Sequence, residues 1–399
     1  MKKKKVFLIA GEASGDKLGG GLMRSLKRQA ARDQLTLDFY GVGGREMIDE
    51  GLRPVLPMQK IGLIGFLEIV PHIFRLLSAI KTAAKAVDKL NPELVVTIDS
   101  WDFCSRVIAR INRRAGTKFV HYISPTVWAY RKNRIKKVEK LYDLVLSIFP
   151  FEPKCYEKRN VVCKYIGHPL AESFARQARP KVCFKKKHKI SSTTKVLGVM
   201  GGSREGELKK MLPIFIDAVN KFLFRVGESE RFVVVFPAIN AAATEAILAL
   251  QEKMSFRPLI VNVSKIKESE RINMLKSFDM ALVKSGTGSL ELTFAKVPMV
   301  VAYKVNCFSE LIARHLFRLD KNIKYVSMTN ILLDEPIIEE FLQDECCSEN
   351  IAEGLLKLCN PSYRKKQLLK YSKVVGILSG KKSTSPSDVA ARFALELVV

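Results

Sequence analysis

Four consecutive apolar residues that lead into small residues and then a helical pattern constrain a chain strongly, because such a strand must be covered on both faces. Val6 to Lys27, VFLIAGEASGDKLGGGLMRSLK, is a stretch of this kind. Val6, Phe7, Leu8 and Ile9 give a short buried strand, and Ala10 to Gly21 a small-residue turn. Leu18, Leu22 and Leu26 then recur at the spacing of one helix face. Strand, glycine-rich turn and helix begin an open parallel α/β sheet, whose ligand site lies beyond the carboxyl end of the strand. GEASGD does not have the GxGxxG spacing, and no GKS or GKT follows it. The turn therefore offers a site without naming its ligand.

The pattern recurs along the chain. Leu37–Val42, Leu94–Ile98, Lys118–Ile123, Asp143–Phe149 and Val161–Ile166 read as further strands. After a basic stretch it restarts at Lys195–Met200, Phe232–Ala238, Leu259–Val263, Asp279–Lys284 and Met299–Tyr303. Strands interleaved this regularly with helices predict parallel, doubly wound sheets. A chain of 399 residues is too long for one core. The expected division is a first domain over 1–175, a basic linker over 176–194 and a second domain over 195–360. Helices over 361–399 are expected to return to the first domain or to a partner subunit. Glu339, Glu340 and Gln343 are read as helical.

Sixty-seven basic against 40 acidic residues leave a formal charge of +27, which favours anionic partners: nucleic acid, phosphorylated small molecules or acidic lipid. The eight cysteines form no CxxC, which speaks against a disulfide framework or a cysteine zinc site. Five histidines without HExxH speak against a protein-bound metal. The start, MKKKKVFLIAGEASGD, has too short an apolar run for a signal peptide and meets Glu12 and Asp16, so a cytosolic first strand behind a basic tail is expected.

The most apolar window, Ile61 to Ile80, admits three readings. Glu68, Pro71, His72 and Arg75 argue against a transmembrane helix, which needs about 20 mainly apolar residues. It could pack on the sheet as a loop and helix. Alternatively Phe66, Leu67, Ile69, Phe74 and Leu77 form an exposed acyl or membrane surface, flanked by the cations Lys60, Arg75, Lys81 and Lys85. Asp99 and Asp102 stand three apart at the end of a strand; Asp102 could cap the next helix, whereas Asp99 suits a general base for a hydroxyl nucleophile. Trp128 and Tyr130 beside Arg131 to Lys137 carry either an RNA-contacting surface or a solvated helix face. His121, inside a strand, is a core histidine or a site residue, and His168, between Gly167 and Pro169, suits substrate contact or a hinge. Gly202, Ser203 and Arg204 make a phosphate-sized turn or merely a tight one. Ser285, Gly286 and Thr287 form a second such turn, with Glu291 one helical turn on as a ribose ligand or a surface residue.

Set in order, AGEASGD, DSWDF, HYISPTVWAYR, FPFE, GHPLAE, GGSRxxE, SGTGSLE, PMVVAYK and YVSMTNIL resemble the lipid-A-disaccharide synthase family of Gram-negative bacteria. The motifs spread from Ala10 to Leu332, so the resemblance covers most of the chain. It implies a GT-B glycosyltransferase, two Rossmann-like α/β domains with parallel sheets facing across a cleft, the first taking the lipid acceptor and the second the UDP-sugar. The implied reaction condenses UDP-2,3-diacylglucosamine with 2,3-diacylglucosamine 1-phosphate to a β-1′,6-linked disaccharide and UDP, with inversion and without metal or other cofactor. The implied setting is peripheral, on the anionic cytoplasmic face of the inner membrane, with a homodimer that exchanges C-terminal segments. By motif, Asp99 falls on the essential aspartate with Asp102 its partner. Gly202, Ser203, Arg204, Ser285, Gly286, Thr287, Glu291 and Asn330 fall on the donor side. Gly11, Ser14, Gly15, Asp16, His121, Ser124, Trp128 and His168 are expected on the acceptor side. Ser100-Trp101 stands where the family carries alanine-proline. The competing expectations are a GT-B enzyme of a soluble UDP-sugar, epimerase-like and with no use for the Ile61 to Ile80 surface, and a non-enzymatic RNA-binding protein. The resemblance implies no nucleic-acid partner.

Overall fold

The strands form where the apolar runs lie, and the computed structural model describes them within residues 2–58, 69–114, 116–128, 134–177, 182–227, 230–304, 324–380 and 384–398. The chain divides into two units, Met1–Glu172 with Leu378–Val399, and Ser173–Ile377.

The first unit is a seven-stranded sheet of β1 (Lys2–Ala10), β2 (Leu35–Gly43), β3 (Arg53–Pro57), β4 (Leu94–Ile98), β5 (Lys118–Tyr122), β6 (Leu144–Ser147) and β7 (Val162–Tyr165). Their order is β3-β2-β1-β4-β5-β6-β7, and every pair is parallel. The alternation of a strand sends successive residues to opposite faces. Val6, Leu8 and Ala10 accordingly pack with Leu22, Met23 and Leu26 of the helix Ala13–Arg32 and with Ala390, Ala391 and Ala394 of the helix Pro386–Leu395. Phe7 and Ile9 pack on the other face, with Ile80, Ala83 and Val87 of the helix Ile69–Leu90. Full burial of each large side chain contributes roughly 1.5–3 kcal/mol. The helix Pro386–Leu395 is also tied by polar contacts: Gln29 Nε2 donates to Asp388 O at 2.7 Å, Arg28 pairs with Asp388, and Ser387 Oγ donates to Glu172 at 2.7 Å.

The second unit holds β8 (Lys195–Met200), β9 (Phe232–Ala238), β10 (Leu259–Asn262), β11 (Met280–Lys284), β12 (Met299–Tyr303) and β13 (Glu339–Leu342). Their order is β10-β9-β8-β11-β12-β13, again parallel. Leu197 and Val199 share a core with Leu212, Phe215 and Phe222 of the helix Glu205–Val226 and with Ile351 and Leu355 of the helix Ser348–Lys357. The helix Pro361–Leu378 is pinned where Gln367 Oε1 accepts from Met299 N at 2.8 Å.

Three expectations change. Much of the 176–194 stretch belongs to the second unit: Val182–Lys187 is helical, Phe184 is buried, and Lys187 Nζ lies 2.5 Å from Glu270 Oε2. Glu339 and Glu340 lie in strand β13 rather than in a helix, as an edge strand in register with Val300 and Val301. Strand β3 was not foreseen, because RPVLP carries two prolines and is tolerated only at a sheet edge. In the apolar window, Phe66 and Leu67 lie outside the described residues, and Ile69 opens the helix Ile69–Leu90. Phe74 is 70% exposed and Leu77 40%. Among the described residues no helix is long and apolar enough to cross a membrane.

In both sheets the strand order reverses beside the first strand, between β1 and β4 and between β8 and β11. Each reversal opens a crevice outside the carboxyl ends of the strands.

Candidate active site

In the first unit, the chain leaves β4 through two consecutive residues in left-handed backbone, Asp99 (φ 52°) and Ser100 (φ 34°). Each costs roughly 1–3 kcal/mol for a residue that is not glycine, a cost that persists where the surroundings fix the conformation. Here Asp99 N donates to Tyr122 O at 2.9 Å, and Phe103 N and Cys104 N donate to Ser100 O at 3.1 and 3.0 Å. The turn after β1 comes so close that a Cβ on Gly11 would lie 2.8 Å from Ser100 Oγ. That hydroxyl is buried without a partner. Asp99 accepts from the Ser14 hydroxyl and the Ser100 amide, yet burial outweighs both and raises its pKa above the usual carboxylate range. The switch point thus holds a half-buried carboxylate of raised basicity, and it unites Gly11, Ser14 and Asp99.

The other expected residues of this unit separate. Asp102 is exposed, and both its oxygens lie 3.4 Å from Arg134 Nη2. Asp16 is buried, and its carboxylate accepts from Gly44 N, Glu46 N and Met47 N at 2.7, 3.0 and 3.2 Å. It caps the helix Arg45–Asp49 and is consumed by that task. Gly15 is buried and keeps its helix close to β4, since a Cβ there would lie 3.3 Å from Ile98 O. His121 is a core histidine: it is fully buried between Trp101 and Tyr142, with Nδ1 2.7 Å from Thr97 Oγ1. Burial lowers its pKa to about 3, so it stays neutral.

Trp128 and His168 lie at the two ends of one aromatic series. Trp128 meets Phe151 edge-on at 5.2 Å, Phe151 stacks on Phe149 at 5.6 Å, and Phe149 meets His168 at 5.5 Å. His168 is pushed down to about 4 by burial, and its Nδ1 accepts from Leu170 N at 3.1 Å. Beneath the series lies Glu152, the last residue of the FPFE motif, to which the sequence assigns no role. It is 1% exposed, accepts from Ile148 N and Phe149 N at 3.2 and 3.0 Å, and burial pushes it up to about 7. Ser124 is buried and shares a hydrogen bond of 2.9 Å with the Tyr156 hydroxyl. Of the basic run, Arg134 and Lys137 lie over the Trp101 ring and Lys137 donates to Ser105 at 3.1 Å, while Lys136 is exposed and Arg131 and Lys132 lie outside the described residues.

In the second unit, Gly202, Ser203, Ser285, Gly286, Thr287 and Glu291 line one open cleft. Two helices begin at its wall, Glu205–Val226 and Thr287–Ala295, and their first amides make it attractive to anions. Gly202 (φ 120°) and Gly286 (φ 151°) make the backbone turns that aim those amides. The cleft also contains Arg271 and Lys284, which no local motif disclosed. Arg271 holds Glu291 through two bonds of 2.7 and 2.9 Å, and Lys284 reaches Glu207 at 3.1 Å. Arg204 is exposed at the mouth of the long helix, 3.8 Å from Glu207. Asn330 is not a cleft donor. It is buried, its Nδ2 donates to Ile338 O and Glu340 Oε1, and its Oδ1 accepts from Ile337 N and Ile338 N. Its role is positional: Glu340 also accepts from Val326 N, and the Ser285 hydroxyl donates to Val326 O at 3.4 Å.

Two parallel α/β units, each with a crevice at its strand-order reversal, define a GT-B-type protein. Solved structures share the fold over nearly their whole length. A UDP-GlcNAc 2-epimerase from Neisseria meningitidis bound to UDP-GlcNAc matches with a TM-score of 0.63 at 11% identity, covering 99% of this chain and all of that one. A glycosyltransferase from Rickettsia africae matches with a TM-score of 0.55 at 13% identity, covering 100% of this chain and 98% of that one. Sequence narrows the class. The family model described as Lipid-A-disaccharide synthetase matches residues 6–393. The lipid-A-disaccharide synthase of Rickettsia bellii is 37% identical over 392 residues, 98% of each chain, and that of Rhodospirillum centenum is 35% identical over 401 residues, 100% of this chain and 96% of the other. The chain belongs to the lipid-A-disaccharide synthase family and is a glycosyltransferase.

Proposed function

We propose that the protein transfers 2,3-diacylglucosamine from its UDP-linked donor to the 6-hydroxyl of 2,3-diacylglucosamine 1-phosphate, forming the β-1′,6 disaccharide. The observation that carries the reading is Asp99, a carboxylate of raised basicity held in left-handed backbone at the switch point of the first unit. Asp99 takes the hydroxyl proton, the acceptor oxygen forms a bond to the anomeric carbon, and the bond from that carbon to the diphosphate breaks with its electrons leaving on UDP. Attack from the face opposite the leaving group inverts the centre. The second unit takes the UDP-sugar: helix amides and the Lys284 and Arg204 cations suit a diphosphate, and Glu291, oriented by Arg271, suits the ribose hydroxyls. The exposed Phe74 and Leu77, beside Arg75 and Lys81, suit a peripheral enzyme that meets acylated substrates at the anionic cytoplasmic face of the inner membrane.

The test is to incubate the protein with both substrates in mixed micelles and measure UDP and disaccharide together. Formation of both with β stereochemistry supports the reading. UDP released without disaccharide, or no reaction with the acylated acceptor, overturns it.

A further inference from the structure

The crevice of the second unit carries an anion of its own. Glu207, in the first turn of the helix Glu205–Val226, folds its carboxylate back toward the chain that enters the helix. Its Oε2 accepts from Ser203 N at 3.3 Å, and its Oε1 accepts from Lys284 Nζ at 3.1 Å and lies 3.8 Å from Arg204 Nη1. The side chain is 14% exposed and forms part of the cleft wall. Burial works to raise its pKa, but Lys284 and the Ser203 and Arg204 amides prevail and hold it below the usual range, so it is charged.

A glutamate at this helix position commonly reaches back to the amides ahead of it as a cap. Two further observations exceed capping. Lys284 arrives from the end of a different strand, β11, with its ammonium also 4.6 Å from the Tyr303 ring. Gly202 keeps the space beside the carboxylate clear, since a Cβ there would lie 2.8 Å from Glu207 Oε2. The donors that would serve a diphosphate, the Ser203 amide, the lysine and the arginine, therefore all face one carboxylate.

We propose that Glu207 is a resident counter-anion that the diphosphate of the nucleotide displaces, and that it sets the affinity for UDP by competing for the same donors. Its carboxylate balances Lys284 while the cleft is empty. When a diphosphate enters, Lys284 and the turn amides exchange partners, and when UDP leaves, Glu207 takes them back. Affinity for the diphosphate is reduced by what that exchange costs, which favours release of the product. The inference rests on the UDP-sugar reading of the second unit.

Calorimetric titration of the full chain with UDP and, separately, with uridine tests it, alongside a thermal melt. Glu207→Gln keeps an acceptor for the Ser203 amide but removes the charge. It should bind UDP about tenfold more tightly than the wild type, with uridine affinity within about twofold and a melting temperature lowered by the unbalanced Lys284. UDP affinity that stays the same or weakens, or a shift shared equally by UDP and uridine, overturns the proposal in favour of a capping role. A wild type that binds no UDP at all overturns the UDP-sugar reading itself.

Discussion

The two switch points share a topology and differ in charge. Beside β1, the crevice concentrates one half-buried carboxylate, a serine hydroxyl and backbone strained at Asp99 and Ser100. Beside β8, it concentrates helix amides, the three cations Lys284, Arg204 and Arg271 against the two carboxylates Glu207 and Glu291, and glycines that carry the left-handed turns. The same strand order therefore fixes where a ligand goes and leaves open what it is. A proton acceptor needs a carboxylate short of solvent, and a diphosphate holder needs fixed positive ends that stay in place when the ligand is gone.

The comparison breaks most sharply at Asp99. Asp99→Asn should lower turnover by about 10³-fold, within the usual range for a general base, while UDP affinity by titration stays put. Because the wild-type pKa is raised, the acid limb of kcat/KM should lie above the ordinary carboxylate range, and activity should rise with pH through it. Near-normal turnover of the variant would remove the distinction between the crevices. The next effect belongs to the first unit alone: Phe74→Ser with Leu77→Ser gives up apolar contact of up to about 1.5–3 kcal/mol per side chain, so flotation with anionic vesicles should drop at least tenfold with the fold intact. Unchanged flotation would show that this exposed face does not meet lipid.

A smaller effect sharpens the other side. Arg271→Gln leaves Glu291 without its two-bond partner and should raise donor KM about tenfold with kcat within about twofold. A fall in kcat at unchanged KM would place Arg271 with the chemistry instead. The smallest concerns stability. Burial lifts Glu152 from 4.5 to about 7, so its protonated form is the one the native state favours. Its stabilisation is full below 4.5 and is lost as pH rises through about 7. Glu152→Gln should flatten that decline in melting temperature, and an identical slope in both proteins would mean that Glu152 does not titrate there.

How much of this was legible depended on whether the information was local. The strands β1, β4 and β8 announce themselves because they are buried on both faces, and an apolar run is then obligatory. Asp99 and the Ser285 to Thr287 turn were legible for the same reason, each standing directly after such a strand. Strand β13, Glu339–Leu342, was not: its glutamates sit on an edge strand, where Glu340 serves the Val326 and Ser327 amides, contacts that no helical or alternating pattern foretells. Asp16, His121 and Asn330 have the right chemistry for a site, but their partners come from Gly44, Thr97 and Ile338, and only the fold brings those together. Arg271 illustrates the converse, a cleft residue on a helix whose sequence, ESERINMLKS, looks like ordinary surface.

The helix Pro386–Leu395, which completes the core beside Leu22 and Leu26, has a consequence for synthesis. The first unit surrounds the second in chain order, so its cover leaves the ribosome only after the whole of Ser173–Ile377 has emerged. Sheet β1 to β7 must wait with one apolar flank of the helix Ala13–Arg32 open, while the later-made unit already has every residue it needs. First-made is here not first-complete, against the usual order for domains during synthesis. The unit that carries Asp99 is then the last to have its whole core synthesised, and the unit that carries the Gly202 and Ser285 turns is complete before it.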